Sequence, residues 1–280
     1  MYFTSVARVE EREEILGFLE MQGLEKNAWL LWDANRMIPA AEDGQEVIVC
    51  RAEGKIMGVA YVLHVTDAWL GTKPDFDFRV HMDAVDIMAV EALLNVLPEQ
   101  KLGSFWLFNP MIQDYMSHLD GVETQCNALH YTVSRDQFKR VQSDEVVELT
   151  AADAGLFDGC EKQPNWEYMS NSRIFAIIRD GQAVSSVCCD PIGTKAPSGR
   201  QVIALGGLYT ETPYRQKGLG KQVVSYATEM TLANNNVPMY WTEHDNWASQ
   251  ALCKSLGYSQ YARNMVFMWR KSSAGSESVK

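Results

Sequence analysis

The sequence predicts a mixed α/β protein in which one order of strands and helices occurs twice. Each copy contains a β-hairpin of two apolar strands joined by a polar turn with glycine, within residues 46–65 and 172–189. After each hairpin come an amphipathic helix, a strand, a short helix and a last strand. Because the repeated set mixes helices and strands, we expect two related domains, each with a mixed central β-sheet flanked by helices.

In the first copy, the hairpin strands run over residues 46–50 and 56–65. Residues 84–97 are predicted to form a helix, because apolar side chains recur there about every 3.6 residues. The side chains in this pattern are Val85, Met88, Ala89, Ala92, Leu93 and Val96. The copy continues with a strand at 104–108, a short helix at 111–119 and a strand that ends near Val133.

The second copy opens with a strand at residues 146–150, followed by hairpin strands at 172–178 and 183–189. Here a further strand, at residues 201–209, precedes the amphipathic helix that begins near Leu219. The remaining elements are a strand at 239–243, a helix at 247–256 and a strand at 262–269. The polar stretch 137–145 separates the copies, so we predict domains at 1–140 and 141–271 and a disordered Ser-rich tail at 272–280.

Composition and charge exclude several classes of protein. The chain has 280 residues, 46% of them hydrophobic, which is typical of a globular protein and not of a disordered one. Of the charged side chains, 22 of 36 acidic but only 12 of 25 basic ones lie in residues 1–140. Such an acidic surface repels phosphate backbones, so we expect no nucleic-acid partner and consider a cationic amine more compatible. A solvated acidic face without a specific role explains the same charge.

Other signals argue against membranes, metals and disulfides. The longest apolar runs fall far short of the roughly 20 residues that a bilayer requires, and the N-terminal region is acidic where a signal peptide is basic and apolar. The six cysteines form no C-x-x-C pair, and the five histidines show no metal-ligand spacing. We therefore expect a cytoplasmic protein with reduced thiols, no bound metal and no membrane contact.

The most informative segment lies between the strand at 201–209 and the helix after it. Arg215, Gly218 and Gly220 form the pattern R-x-x-G-x-G directly before that helix. Glycines allow a tight turn that brings backbone N–H groups close to an anion, and the helix N-terminus adds partial positive charge. The segment fits neither the Rossmann fingerprint nor the P-loop, and a glycine turn that merely starts a helix explains the six residues alone.

The segment that follows makes the pattern specific. After the strand at 239–243 comes a helix that begins at Asn246 and ends in Leu256-Gly257-Tyr258. This order of elements resembles the GNAT superfamily of acyl-CoA-dependent N-acyltransferases. Members of the family have a glycine loop, then a strand, then an Asn-led helix that ends in Leu-Gly-Phe/Tyr. The resemblance covers about residues 146–270. The first copy has no R-x-x-G-x-G before its helix, so it resembles a degenerate GNAT-like domain that supports the fold and forms a wall of the acceptor site.

The resemblance implies a tandem GNAT fold and a site for acetyl-CoA, or another acyl-CoA, as co-substrate. The pyrophosphate would bind the backbone N–H groups of residues 216–221 beside Arg215, while the edge of the strand at 208–210 would hold the pantetheine arm and polarise the acetyl carbonyl. Asn246 would contact the cofactor arm. The cofactor-binding residues predicted in this way are Leu208, Tyr209, Thr210, Arg215, Gln216, Lys217, Gly218, Leu219, Gly220, Lys221, Asn246 and Ser249.

The sequence offers several candidates for the catalytic groups. Many members of the family carry a tyrosine seven residues after the Asn, where this chain has Cys253. A thiol can protonate the leaving thiolate, but packing as a small buried residue is its commoner role. We list Glu243 as a candidate base and Tyr258 with Cys253 as further catalytic candidates, Tyr258 being also the aromatic residue that closes the motif.

Alternatives remain for each of these assignments. The base could instead be Glu211, His244 or Asp245, or a chain of water molecules to solvent. The proton donor could be Tyr209 or Tyr214. Trp166, Tyr168, Trp241 and Trp247 could line an acceptor pocket or pack in the core.

The predicted activity is direct transfer of an acetyl group from the thioester to a primary amine of a small molecule. A protein lysine or N-terminal amine is a second acceptor class. A catalytically inactive acyl-CoA sensor or scaffold is the alternative from another class, since Cys253 stands where the tyrosine is expected. A purely structural module would bind no CoA.

Overall fold

The structure is a computed structural model that describes residues 1–38, 44–65, 75–164 and 172–271. Its strands and α-helices are β1 (Tyr2–Val6), α1 (Arg12–Met21), α2 (Leu24–Met37), β2 (Gln45–Ala52), β3 (Lys55–His64), β4 (Phe78–Ala84), α3 (Ile87–Asn95), β5 (Leu102–Leu107), α4 (Pro110–Ser117), β6 (Glu123–Thr132), β7 (Val146–Leu149), β8 (Arg173–Arg179), β9 (Gln182–Ile192), β10 (Val202–Thr210), α5 (Leu219–Ala233), β11 (Val237–Glu243), α6 (Trp247–Ser255) and β12 (Ser259–Arg270).

The chain divides into two compact units. Unit 1 comprises Met1–Asn127 and Ala262–Lys280, and unit 2 comprises Ala128–Tyr261. Each unit has its own mixed β-sheet with helices packed on it. The predicted fold class, a tandem arrangement of two mixed α/β domains, is confirmed.

The sheet of unit 1 has the strand order β1-β2-β3-β4-β5-β12. Neighbouring strands are antiparallel except β4 and β5, which run parallel from the pair Phe78 and Gly103 to the pair His81 and Trp106. Helix α3 packs on one face, where Val90 and Leu93 are fully buried with Phe105. The other face contacts α2 and is more polar, as described below.

The sheet of unit 2 has the order β6-β11-β10-β9-β8-β7 and repeats the same plan. Only the described pairing of β10 with β11 is parallel, and the other neighbours are antiparallel. Helix α5 covers this sheet with Val223, Val224 and Ala227, which have no exposed surface. Its apolar side faces the core at the spacing that the sequence predicted for this helix.

The last strand of each predicted copy lies in the other unit. β6 pairs with β11 in unit 2, whereas β12, the last strand along the chain, pairs with β5 in unit 1. The two units therefore differ from the contiguous domains predicted at 1–140 and 141–271. The hydrophobic pattern identifies these segments as strands but does not determine which strand each one pairs with, because pairing in either sheet buries the same side chains.

Four elements of unit 1 were not predicted from the sequence: β1, α1, α2 and β4. Helices α1 and α2 are separated at Gly23, whose φ of +124° ends the first helix in a conformation that favours glycine. Along α2, buried Asn27 and Asp33 interrupt the apolar stripe. A helix that packs on polar groups has a weak amphipathic pattern, and this accounts for the omission.

Buried polar groups connect α2 to the sheet of unit 1. The carboxylate of Asp83, which is 1% exposed, accepts hydrogen bonds from Asn27 Nδ2 and Asn109 Nδ2, both at 2.6 Å. His81 Nδ1 lies 2.8 Å from a carboxylate oxygen of Asp33. These contacts compensate for the cost of burying the two carboxylates and the two amides, whereas Nε2 of His81 is buried without a hydrogen-bond partner among the described residues.

Two further sequence predictions concern thiols and membranes. Cys50, Cys160, Cys188, Cys189 and Cys253 are free thiols, in agreement with the prediction of reduced cysteines. In the described ranges, no helix has both the length and the apolar character needed to cross a bilayer. The predicted disordered tail at 272–280 lies outside the described residues.

Candidate functional site

The site begins where the two parallel strands of unit 2 separate. β10 and β11 are paired from Val202 and Val237 to Leu205 and Tyr240. The rest of β11 continues along β6, and the rest of β10 continues along β9. β10 also has a β-bulge, because its register with β9 skips from Gly206 to Tyr209. The bulge and the separation expose the backbone of β10 at Gly207 and Leu208 along one side of the sheet.

The loop after β10 delivers the chain to the start of α5. A short 3-10 turn at Thr212–Tyr214 leads to Gln216, whose φ is +61°, and to Gly218, whose φ is +80°. Gly218 occupies the N-cap of α5 and offers no side chain to the first N–H groups of the helix. The open backbone donors therefore point outward with the positive end of the helix dipole.

The second glycine of the motif has a packing role. A Cβ atom at Gly220 would lie 3.3 Å from Thr210 Oγ1, 3.6 Å from Leu252 Cδ1 and 3.7 Å from Leu208 Cδ1. The first turn of α5 therefore lies directly against β10 and α6. This close approach positions the helix N-terminus beside the exposed strand edge.

These elements enclose a cleft of about 700 Å³. Its walls are formed by Leu208, Tyr209, Thr210, Tyr214, Arg215, Gln216, Gly218, Leu219, Gly220, Lys221, Asn246, Ala248, Ser249 and Leu252. All predicted cofactor-binding residues except Lys217 are among them. The ammonium group of Lys217 lies over the ring of Tyr214, 5.2 Å from its centroid, at the same loop.

Asn246 and Ser249 form the α6 side of the cleft. Asn246 is the N-cap of α6, and its Oδ1 accepts a hydrogen bond from Ser249 N at 3.1 Å. Ser249 Oγ lies 2.6 Å from the hydroxyl of Tyr240. Burial raises the pKa of Tyr240 to about 12, so this hydroxyl stays protonated behind Ser249. Asn246 thus fixes the α6 N-terminus in addition to lining the cleft.

Arg215 is held by a side chain that the sequence analysis did not single out. Its guanidinium group lies over the ring of Tyr209, 5.4 Å from the centroid, and donates to Thr210 O at 2.9 Å. Glu161 contacts Arg215 Nη2 at 3.5 Å and accepts hydrogen bonds from the hydroxyls of Tyr209 and Thr212. The Tyr209 hydrogen bond lowers the pKa of Glu161 and raises that of Tyr209. No local motif marks Glu161, which reaches the loop from about 50 residues away in the chain.

Two predicted catalytic residues lie in the core of unit 2. Cys253 has no exposed surface, its thiol contacts Gln250 O at 3.2 Å, and burial raises its pKa to about 11. Tyr258 is 4% exposed, with its hydroxyl 2.7 Å from Thr228 Oγ1, and burial raises its pKa. Among the described residues that line the cleft, neither appears. Their position therefore gives no support to a catalytic role, and both act as packing residues.

The candidate bases are not among the described residues that line the cleft. Glu243 is exposed at the end of β11, and His244 and Asp245 are exposed after it. Glu211 is half-buried and accepts a hydrogen bond from Glu161 N at 3.0 Å. None of them belongs to the described lining of the cleft. The role of Glu243 as the base therefore stays a prediction.

The aromatic residues predicted to line an acceptor pocket lie in different places. Trp241 is 45% exposed and lines a second pocket on β10, whereas Trp247 is 74% exposed at the start of α6. Trp166 and Tyr168 lie outside the described residues. In the described part of the chain, no group of three or more His, Cys, Asp or Glu side chains could hold a metal ion.

Unit 1 has a different helix start at the corresponding place. Two residues, Val85 and Asp86, join β4 to α3. Asp86 caps the helix: its Oδ1 accepts from Ala89 N at 2.8 Å and its Oδ2 accepts from the hydroxyl of Tyr2 at 2.6 Å. A carboxylate of the chain itself thus occupies the position at which an anion would bind.

Comparison with known families agrees with this geometry. Residues 143–258 match the model of the Acetyltransferase (GNAT) family, a segment that contains the glycine loop, the cleft and α6. Over these residues the chain is similar to the GNAT family. A search of curated protein sequences finds no match.

Solved structures, among them those of two GNAT proteins, share the fold over nearly the full chain. An acetyltransferase of the GNAT family from Colwellia psychrerythraea is 12% identical, with a TM-score of 0.57 and coverage of 96% of this chain and 100% of that one. A tandem GNAT protein from the clavulanic acid biosynthesis pathway is 12% identical, with a TM-score of 0.51 and coverage of 96% and 98%. A Drosophila protein gives 12% identity, a TM-score of 0.57 and coverage of 96% and 99%. At such identities the similarity shows the tandem fold.

Proposed function

We propose that the protein is an acetyl-CoA-dependent N-acetyltransferase that transfers an acetyl group directly to a primary amine of a small molecule. One observation carries this proposal: the uncapped, glycine-led N-terminus of α5 lies in the same cleft as the exposed edge of β10. The first feature suits a pyrophosphate and the second suits a pantetheine arm, which pairs with a strand edge through its amides. The similarity of residues 143–258 to the GNAT family supports acyl transfer in general.

The residues of the cleft fit this co-substrate. Backbone N–H groups at Leu219, Gly220 and Lys221 begin α5 and would bind the pyrophosphate, beside the positive charges of Arg215 and Lys217. A Cβ atom at Gly218 would meet no atom within 4 Å, so the space in front of the helix is open. The site thus offers room, donors and positive charge together.

Acetyl-CoA would supply the acetyl group as a thioester. In the transfer, a C–N bond forms as the C–S bond breaks, the amine loses a proton and the thiolate gains one. Leu208 lies in the bulge of β10 and lines the cleft, and its backbone N–H is the group that we expect to stabilise the carbonyl oxygen. Tyr209, Tyr214 and Ser249 are the cleft hydroxyls that replace Cys253 as candidates for the proton donor.

Calorimetry of Gly218→Asp with acetyl-CoA tests the cofactor site. A carboxylate about 5 Å from a phosphate costs about 1 to 3 kcal/mol at the effective dielectric constant of a protein surface, which is a loss of affinity of roughly 10- to 100-fold. Gly181→Asp is the matched control, because Gly181 also has a positive φ, +78°, and open space around it, but lies in the β8–β9 turn. We expect one site per chain, weakened roughly 10- to 100-fold in the first variant and unchanged in the second.

Turnover separates the enzyme from the alternatives. Thiol release from acetyl-CoA in the presence of a panel of small amines is expected for the wild-type protein and not for Gly218→Asp. Binding of acetyl-CoA with no transfer to any amine would instead indicate a sensor or scaffold. Equal affinity in the wild type and Gly218→Asp, or no binding in either, would refute the cofactor site.

A further inference from the structure

A second pocket lies beside the bulge of β10, within unit 2. Its volume is about 420 Å³, and it shares Tyr209 with the cleft. The pocket is lined by Lys162, Gln163, Pro164, Ser186, Cys188, Asp190, Gly206, Gly207, Tyr209 and Trp241. An acceptor in this pocket would reach the reacting acetyl group at the place where β10 separates from β11.

One wall of the pocket is a row of side chains on β9. Ser186, Cys188 and Asp190 alternate along the strand, so they share one face, and all three line the pocket. In the register with β10, Ser186 is opposite Tyr209, Cys188 is opposite Gly206 and Asp190 is opposite Ala204. The row therefore leads from the bulge to a carboxylate at the far end.

The opposite wall is aromatic. Trp241 is 45% exposed, and its indole Nε1 lies 3.0 Å from the position of a Cβ atom on Gly206. Any larger residue at position 206 would push the ring away, so glycine allows the indole to lie against β10. An indole face and a carboxylate that line the same pocket favour an alkylammonium group.

The charges of the pocket lie at its far end and its rim. Asp190 is half-buried and accepts a hydrogen bond from the hydroxyl of Ser172, which orients the carboxylate. Cys188 remains a neutral thiol, because burial and the neighbouring Asp190 raise its pKa to about 12. Lys162 is an exposed cation at the rim. The fixed negative charge inside the pocket is thus Asp190.

The strand register gives the spacing between this charge and the reaction centre. Val187 lies opposite the bulge that contains Leu208, and Asp190 is three residues further along β9. At about 3.3 Å per residue this is a distance of about 10 Å along the strand. After allowance for the aspartate side chain and a hydrogen bond of about 2.8 Å, roughly 6 to 9 Å separate the two nitrogen atoms of a bound acceptor.

We propose that the acceptor carries two amines: one reacts beside Leu208, and the second, as an ammonium group, binds Asp190 against the indole of Trp241. This inference rests on the proposed acetyltransferase function and specifies its substrate class. A separation of about 6 to 9 Å corresponds to amines joined by four to six carbon atoms. Both a free α,ω-diamine and the two amines of a diamino acid have this chemistry, and Lys162 would bind the carboxylate of the latter.

Steady-state kinetics with matched acceptors test the proposal. We expect α,ω-diamines of four to six carbons, or the corresponding diamino acids, to show kcat/KM values at least 10-fold above those of monoamines of equal length. Asp190→Asn keeps the shape and the Ser172 contact but removes the charge. It is expected to raise KM for two-amine acceptors roughly 10- to 100-fold, with kcat changed less than about 3-fold and monoamine kinetics unchanged.

Controls separate the acceptor site from the cofactor site and from folding. Asp180→Asn removes the same charge from a turn residue whose φ of +50° suits asparagine, and it is expected to leave all kinetics unchanged. Acetyl-CoA affinity reports folding and should be equal in the wild type and both variants. Lys162→Met distinguishes the two kinds of acceptor. A rise in KM for diamino acids alone indicates that the acceptor is a diamino acid, whereas no rise in KM indicates a free diamine.

The outcomes for the two proposals differ. If the wild type binds acetyl-CoA and acetylates monoamines as well as diamines, the acceptor class is wrong and the enzyme assignment stands. Equal losses for monoamines and diamines in Asp190→Asn would also overturn the inference, because the residue would then act on structure and not on the second amine. Failure to bind acetyl-CoA at all would refute the proposed function itself.

Discussion

Buried His130 makes the stability of the protein dependent on pH. The residue lies in β6 with 5% exposure, its ring packs edge-on against Tyr261, and Nδ1 lies 3.4 Å from Met239 Sδ. Burial lowers the pKa of His130 from 6.5 to about 4, because the charged imidazole loses its hydration. The unfolded chain therefore takes up a proton at this residue before the folded protein does. Stability decreases as the pH falls from about 6.5 to about 4.

The size of the effect follows from the shift of the pKa. One pKa unit corresponds to about 1.4 kcal/mol, so the full shift from 6.5 to about 4 corresponds to about 3 kcal/mol. Between pH 7.5 and pH 4.5 we expect His130 to contribute about 2.5 kcal/mol to the loss of unfolding free energy. Carboxylates also titrate in this range, so the contribution must be measured as a difference between proteins.

Urea unfolding of the wild type and His130→Gln at several pH values isolates this contribution. The variant has a constant cost from its replaced side chain, but the gap between the two proteins should change by about 2.5 kcal/mol in favour of the variant as the pH falls from 7.5 to 4.5. His244→Gln, at an exposed position, should follow the wild type at every pH. Parallel curves for the wild type and His130→Gln would refute the reasoning.

Two further substitutions test packing in each unit. Gly257→Ala should lower the unfolding free energy by about 3 kcal/mol or more, because φ is +93° there and the added Cβ would lie 2.1 Å from Gln137 O. Asp83→Ala should cost about 3 kcal/mol or more, because it leaves one N–H of each buried side-chain amide, Asn27 and Asn109, without an acceptor and removes the ion-pair partner of Lys26. Urea denaturation measures both.

Matched variants serve as controls for these two predictions. Gly54→Ala adds a methyl group at another positive φ, +78°, with no atom within 4 Å, and should cost only about 1 kcal/mol. Asp83→Asn keeps one acceptor oxygen and should be less destabilising than Asp83→Ala. A loss in Gly257→Ala no greater than in Gly54→Ala would contradict the clash, and equal losses in the two Asp83 variants would contradict the role of the hydrogen bonds.

The cofactor cleft was predictable from sequence because its determinants are local. The glycines at 218 and 220 act through a positive φ and a close helix approach, and both properties depend on the nearest few residues. Asn246 is likewise a helix cap whose partner, Ser249, is three residues away. Local geometry of this kind leaves a recognisable pattern in the chain.

The rest of the site depends on contacts between distant segments. Glu161 reaches Tyr209 and Arg215 through the folding of a long connection, and β12 joins a sheet that begins at the other end of the chain. Cys253 was predicted from its position seven residues after Asn246, and Glu243 from its place at the end of a central strand. The exposure of Cys253 and Glu243 depends on which side of α6 or β11 faces the core. The identity of one residue in a motif does not determine which side that is.

The helix N-termini of the two units differ in what lies at their positive end. In unit 1 the chain runs directly from β4 to α3, and the Asp86 carboxylate satisfies the N–H of Ala89 and the hydroxyl of Tyr2. In unit 2 a longer loop reaches Gly218, which has no side chain to place there. The positive end of a helix dipole attracts an anion in both units. Unit 1 supplies that anion from its own sequence, whereas Gly218 of unit 2 places no side chain there.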